Sequence, residues 1–142
     1  MPALSPRLRD VVDALPLVPG SRVIEIGCGP GAAAREVAAR IGPHGLILAV
    51  DRSRTAIEQL TRAGSDLIEA GRLRTRVAAV EDLTLEPGEQ PYDLAFAARV
   101  GVLDGRHPRL HQLALERVAA MLVPEGRLFI DGGDPLRELA LP

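Results

Sequence analysis

The segment Val23-Ile24-Glu25-Ile26-Gly27-Cys28-Gly29-Pro30-Gly31 constrains the fold of this chain more than any other. A short apolar strand carrying one acid runs into three glycines at alternate positions, and a helical pattern follows. Glycine lets the backbone turn sharply and lets a ligand approach with no Cβ in the way. The helix behind it offers unpaired N–H groups and a positive dipole end, which favour an anionic group. A second apolar strand, residues 46–50, closes on Asp51, which lies 24 residues after Gly27. A carboxylate there is placed to accept hydrogen bonds from both hydroxyls of a ribose. The two features together describe a nucleoside site with one end suited to an anion.

Around this centre the apolar pattern alternates between two periods. Ser5-Pro6 reads as an N-cap with proline at the first helical position, and Leu8, Val11, Val12 and Leu15 follow at helical spacing. Residues 22–26 form the first strand. Ala34, Val37, Ala38 and Ile41 give the next helix one apolar face, stopped by Gly42-Pro43. Ser53 is placed to cap a long helix with Ile57, Leu60, Leu67 and Ile68 turned inward and Gly64 in its middle. Strands are predicted over 74–80, 93–97 and 127–130. Between the last two, a helix opens at Pro108, and Pro135 starts a short final turn. Strands alternating with helices imply parallel pairing by right-handed crossovers, with helices on both faces. The expected fold is a Rossmann-like, doubly wound α/β sandwich over 1–142, with a parallel sheet of about five strands in the order 3-2-1-4-5. A ligand in such a sheet sits at the carboxyl ends of the strands.

Composition excludes several classes of function. With 46% hydrophobic and 25% charged residues the chain is of globular type, and no apolar run reaches the ~20 residues that span a bilayer. Residues 1–10 lack an apolar leader core, so the expected location is cytoplasmic. The formal net charge of -2 comes without a basic block, which makes nucleic acid an unlikely partner. Cys28 is the only cysteine, which excludes an intrachain disulfide and a thiolate metal cluster. All 17 basic residues are arginine, so Schiff-base chemistry and a lysine base are impossible. Tyr92, Phe96 and Phe129 are the only aromatic residues, too few for an aromatic cage or a base-stacking platform.

The glycines alone also fit a nicotinamide dinucleotide fold, since Gly27, Gly29 and Ala32 match that variant. Glu25 separates the two readings. A carboxylate two residues before the first glycine repels a pyrophosphate, but it suits a ligand that carries both an amino group and a carboxylate. With these residues in place, the chain resembles the class I S-adenosylmethionine-dependent methyltransferases over about residues 18–133. Glu25, Gly27, Cys28, Gly29 and Gly31 resemble the family's first motif, and Asp51 its ribose-holding acid. Arg52 matches a position whose side chain lies beside the adenine. Val80 and Glu81 resemble the segment that borders the adenine ring. The run 92–97 resembles the fourth-strand motif, whose end, at Ala97, faces the methyl-transfer centre. The run 122–128 resembles the proline-glycine turn into the fifth strand.

The resemblance implies S-adenosylmethionine as cofactor, S-adenosylhomocysteine as product, no metal and a small-molecule methyl acceptor. It also exposes departures. Ala79 stands where the family often has a polar acceptor. No Asn/Asp-Pro-Pro-aromatic segment follows the fourth strand, which argues against methylation of DNA bases. The family's usual last two strands have no counterpart in the expected layout, because residues 131–142 are too short to supply them. A bare fifth-strand edge then calls for a homodimer or a partner. With no general base evident, a cofactor-binding module without independent catalysis is the alternative. Among the other polar residues, Cys28 reads as a small loop residue, His107 as a cap and His111 as a surface residue. The aim of Arg99, toward substrate or solvent, is left open.

Overall fold

In the central strands, successive side chains enter opposite layers, and this alternation builds the molecule. The computed structural model describes residues 3–142. Its elements run α1 (Pro6–Ala14), β1 (Arg22–Ile26), α2 (Ala32–Ile41), β2 (Leu46–Asp51), α3 (Arg54–Ala63), α4 (Ser65–Glu69), β3 (Leu73–Val77), β4 (Tyr92–Ala97), α5 (Gly101–Asp104), α6 (His111–Met121), β5 (Leu122–Asp131) and β6 (Leu136–Leu139). The sheet order is β3-β2-β1-β4-β5-β6. Val23, Ile47, Ala49, Leu94, Phe96 and Phe129 enter a core shared with residues of α1, α2 and α3. Ile24, Ile26, Leu48, Val50, Ala95, Leu128 and Ile130 enter the opposite core with residues of α5 and α6. Strands with apolar residues on both faces are what a sheet covered on both sides requires.

The first five strands pair in parallel, in the expected order. The sixth was not expected. Residues 131–142 do supply a strand: β6 lies antiparallel to β5, with Leu128 opposite Leu139 and Asp131 opposite Leu136. Pro135 therefore precedes a strand and does not open a helical turn. The outer edge of β5 is paired over these residues, which removes the bare edge from which a homodimer or partner was inferred. Length alone misled here. A tight connection through Gly132 (φ 103) and Gly133 reverses the chain in very few residues.

Two other boundaries moved for local reasons. The long helix breaks at Gly64 into α3 and α4. A Cβ at Gly64 would stand 2.7 Å from Leu73 Cδ2, so the glycine lets the end of α3 press against β3. The third strand stops at Val77, and Val80–Asp82 forms a 3-10 turn that carries Val80 and Glu81. β5 begins early, at Leu122, and its register with β4 shifts between the pairs Tyr92–Leu122 and Leu94–Arg127. The proline-glycine turn lies inside that irregularity, as suits a residue that has no N–H to donate.

Gly31 is the tightest glycine of the loop. Its φ is 89°, and an added Cβ would collide with the Leu60 side chain of α3. Gly31→Ala is expected to destabilise the fold by about 2–4 kcal/mol, the sum of left-handed strain and overpacking. Urea unfolding followed by far-UV circular dichroism checks this.

Candidate functional site

The carboxyl ends of β1 and β2 set the site. Gly27 and Cys28 both donate their N–H groups to Val50 O, at 2.8 and 3.0 Å, so the glycine loop folds back over the end of β2. Asp51 completes the closure. Its Oδ2 accepts the Gly29 N–H and its Oδ1 accepts the Ser53 N–H, both at 2.8 Å. Ser53 in turn caps α3, accepting from Ala56 N at 3.1 Å. One half-buried carboxylate thus holds the glycine loop and the start of α3. Each of its oxygens has two lone-pair directions, so two remain for a ligand.

Glu25 lies on the α2 side of β1 and is 3% exposed. Its carboxyl accepts the Ala34 N–H, in the first turn of α2, and so caps a helix whose own N-cap, Gly31, has no side chain. Its Oε1 is buried with no hydrogen-bond partner. Desolvation pushes this carboxyl up to about 8, the nearby Asp51 charge adds to the shift, and the Ala34 N–H opposes it. Cys28 is buried among apolar residues, and its thiol donates to Gly29 O at 3.3 Å. Burial, with Glu25 and Asp51 adding, drives the Cys28 pKa far above the ordinary thiol range. A thiol held protonated is no nucleophile, so Cys28 serves the loop through its backbone and its packing.

In front of these residues opens a cleft of about 490 Å³. Gly27, Asp51, Arg52, Val80 and Glu81 line it, so five residues from three separate segments meet at one place. Glu25, Cys28, Gly29, Gly31 and Ala97 are not among its lining. Glu25 and Cys28 are buried, Gly29 donates its N–H to Asp51, Gly31 packs against Leu60, and Ala97 is buried between its sheet neighbours Ile26 and Ile130. Val100 seats itself directly over the loop: a Cβ on Gly27 would lie 2.7 Å from Val100 Cγ2.

The second wall was largely missed by sequence reasoning. It consists of residues 99–102 and Arg106, His107, Arg109 and Leu110. Arg99 lines the cleft and is also exposed to solvent, so both of its expected placements stay open; it is the one described non-glycine residue with positive φ, at 59°. Its N–H is held by Asp131 Oδ1 at 3.1 Å, and Asp131 is itself paired with Arg7 at 3.0 Å. His107 stands at the N-cap position of the 3-10 turn Pro108–Leu110 with its ring against Gly101, where an added Cβ would collide with it. His111 is half-buried rather than a plain surface residue, with Nδ1 2.8 Å from Val102 O. The available signal was the clustering of arginine, histidine and glycine over 99–111, which periodicity cannot place. Among the described residues no group of His, Cys, Asp and Glu could hold a metal ion. No helix of the described residues is long and apolar enough to cross a membrane.

Comparison with known proteins agrees with this geometry. The family model "Methyltransferase domain" matches residues 23–126, from β1 to the turn inside β5. The chain is 31% identical over 138 residues to nocamycin O-methyltransferase of Saccharothrix syringae, covering 95% of this chain and 46% of that protein. It is 30% identical over 110 residues to the mouse RNA 2'-O-methyltransferase FBLL1, covering 78% and 31%. Among solved structures it resembles Haemonchus contortus phosphoethanolamine N-methyltransferase 1, with a TM-score of 0.71, 18% identity, and coverage of 87% of this chain and 24% of that one. The chain thus spans less than half the length of these curated relatives. A family match over most of the chain, on a sheet whose strand ends carry the glycine loop and Asp51, assigns this chain to the class I S-adenosylmethionine-dependent methyltransferases.

Proposed function

We propose that the cleft binds S-adenosylmethionine and that the chain transfers its methyl group to a small-molecule acceptor. The observation that carries this reading is the pair of carboxylates around the glycine loop. Asp51 keeps lone pairs free at the cleft, and Glu25 keeps an unpartnered oxygen behind the loop. Two acids this close favour a ligand with cationic character and disfavour a pyrophosphate. In this reading Asp51 holds the ribose, and Arg52, Val80 and Glu81 border the adenine. The backbone of Gly27, Cys28, Gly29 and Gly31 gives the ligand its close approach, Glu25 answers its positive charge, and Ala97 backs the transfer centre. When bound, the cofactor supplies a methyl group already activated by its sulfonium, which the acceptor's lone pair takes while the sulfur keeps the bonding electrons. The residues of the chain therefore act mainly by proximity and orientation.

Titration calorimetry tests the reading. S-adenosylhomocysteine is expected to bind saturably and NADH not at all. Asp51→Ala is expected to weaken S-adenosylhomocysteine binding at least tenfold, as loss of hydrogen bonds to a charged acceptor implies. No binding by folded wild-type chain would overturn the proposal.

Glu25 supplies a second test. Its pKa is raised on folding, from 4.5 to about 8. The folded state therefore holds a proton that the unfolded state releases near pH 4.5. The associated stability is complete below that pH and is lost as pH rises through about 8. Wild-type stability is expected to fall across this window by a few kcal/mol, and Glu25→Gln to flatten the profile in urea unfolding. A cationic ligand would displace the proton. Binding near pH 7 is then expected to release protons, measured by calorimetry in buffers of different ionisation enthalpy, and Glu25→Gln to abolish the release.

A further inference from the structure

The two walls of the cleft differ in charge. Both lining acids, Asp51 and Glu81, belong to the wall assigned above to the nucleoside, together with one arginine, Arg52, while no acid lines the opposite wall. The opposite wall carries Arg99, Arg106 and Arg109. Asp104 neutralises Arg106 at 2.9 Å. Arg99 and Arg109 are exposed, and neither forms a salt bridge among the described residues. In a chain of net charge -2, this wall presents two unneutralised guanidinium groups.

Three further observations narrow what would meet them. Arg99 holds its place at a backbone angle that costs an arginine energy, clamped there by Asp131. Beside the arginines the wall is apolar: Val100, Val102 and Leu110 line it, with Leu110 39% exposed. Finally, Tyr92, Phe96 and Phe129 are all buried, so the one ring lining this wall among the described residues is the imidazole of His107, seated against Gly101.

We propose that the wall formed by Arg99 and Arg109 is the acceptor site, and that the acceptor is a small molecule with an oxyanion, carboxylate or phosphate, on an apolar body. The guanidinium fork pairs with either oxyanion in bidentate fashion, and the valines and Leu110 cover the apolar part. The inference rests on the reading of the opposite wall as the cofactor site.

The test uses the full chain, saturated with S-adenosylhomocysteine, and three probes of one shape: benzoate, phenyl phosphate and neutral benzamide. Arginine Nε–Hε resonances report binding. At least one anion is expected to bind tenfold or more tightly than benzamide and to shift the Arg99 and Arg109 signals. The tighter of the two identifies the oxyanion. The double variant Arg99→Asn, Arg109→Gln, in which asparagine tolerates the left-handed backbone, is expected to lose this preference and keep its S-adenosylhomocysteine affinity within twofold. Equal binding of benzamide would overturn the proposal, as would an unchanged anion preference in the double variant. A single-stranded RNA oligonucleotide that binds this wall more tightly than either small anion would also overturn it. The same titrations without S-adenosylhomocysteine separate the two readings. An anion preference carried by the arginines in a chain that binds no S-adenosylhomocysteine would refute the cofactor reading and leave an oxyanion site.

Discussion

The hydrogen bonds of Asp51 hold the site together. A strand must end somewhere, and its last residues leave backbone groups to satisfy. Here Val50 O takes two N–H groups of the glycine loop, and the next side chain takes one more from that loop and one from the turn into α3. The ladder between β1 and β2 and the packing of α2 and α3 place these elements, and Asp51 with Val50 ties the glycine loop and the turn into α3 to the end of β2. Any ligand that uses the remaining lone pairs of Asp51 binds a group already fixed in place, so little ordering is left to be done on binding.

Behind the loop, Glu25 holds a different balance. A buried carboxyl with one backbone donor and one empty oxygen costs stability when charged, and it avoids the cost by keeping its proton. The charge returns as pH rises through about 8, and in the proposed reading a cationic ligand would restore it at lower pH. The acids that line the cleft, Asp51 and Glu81, share one wall with Arg52, and Arg99, Arg106 and Arg109 line the other. The molecule separates opposite charges within one opening while its net charge stays close to zero. A composition count sees only the near balance.

How much of this was legible follows from the range of each signal. The glycine loop, Asp51 and the parallel order depend on short patterns and on the alternation of strand and helix, and all three are visible along the chain. The break at Gly64 was not. It depends on the approach of Leu73, nine residues further on, and a helical pattern on either side of a glycine looks continuous. β6 was missed because its four residues, two half-exposed leucines around two exposed charges in Leu136–Leu139, carry no strand signature of their own and become a strand only by pairing with β5. The second wall of the cleft was missed for a related reason. Arg99, Arg106 and Arg109 lie in turns, where spacing carries no information about direction. Ala97 and Arg52 illustrate the two outcomes of motif matching: both were singled out, but only Arg52 reaches the opening.

The short return of the chain as β6 also changes what the sheet can join. At that end the outermost strand carries Arg137 and Glu138, and Glu138 is tied to Arg127 of β5 at 2.8 Å. At the other end, β3 carries Arg74 and Arg76, which are held by Glu86 and Glu89. Any further strand added at either margin would have to lie against paired charges, and such margins resist edge-to-edge growth.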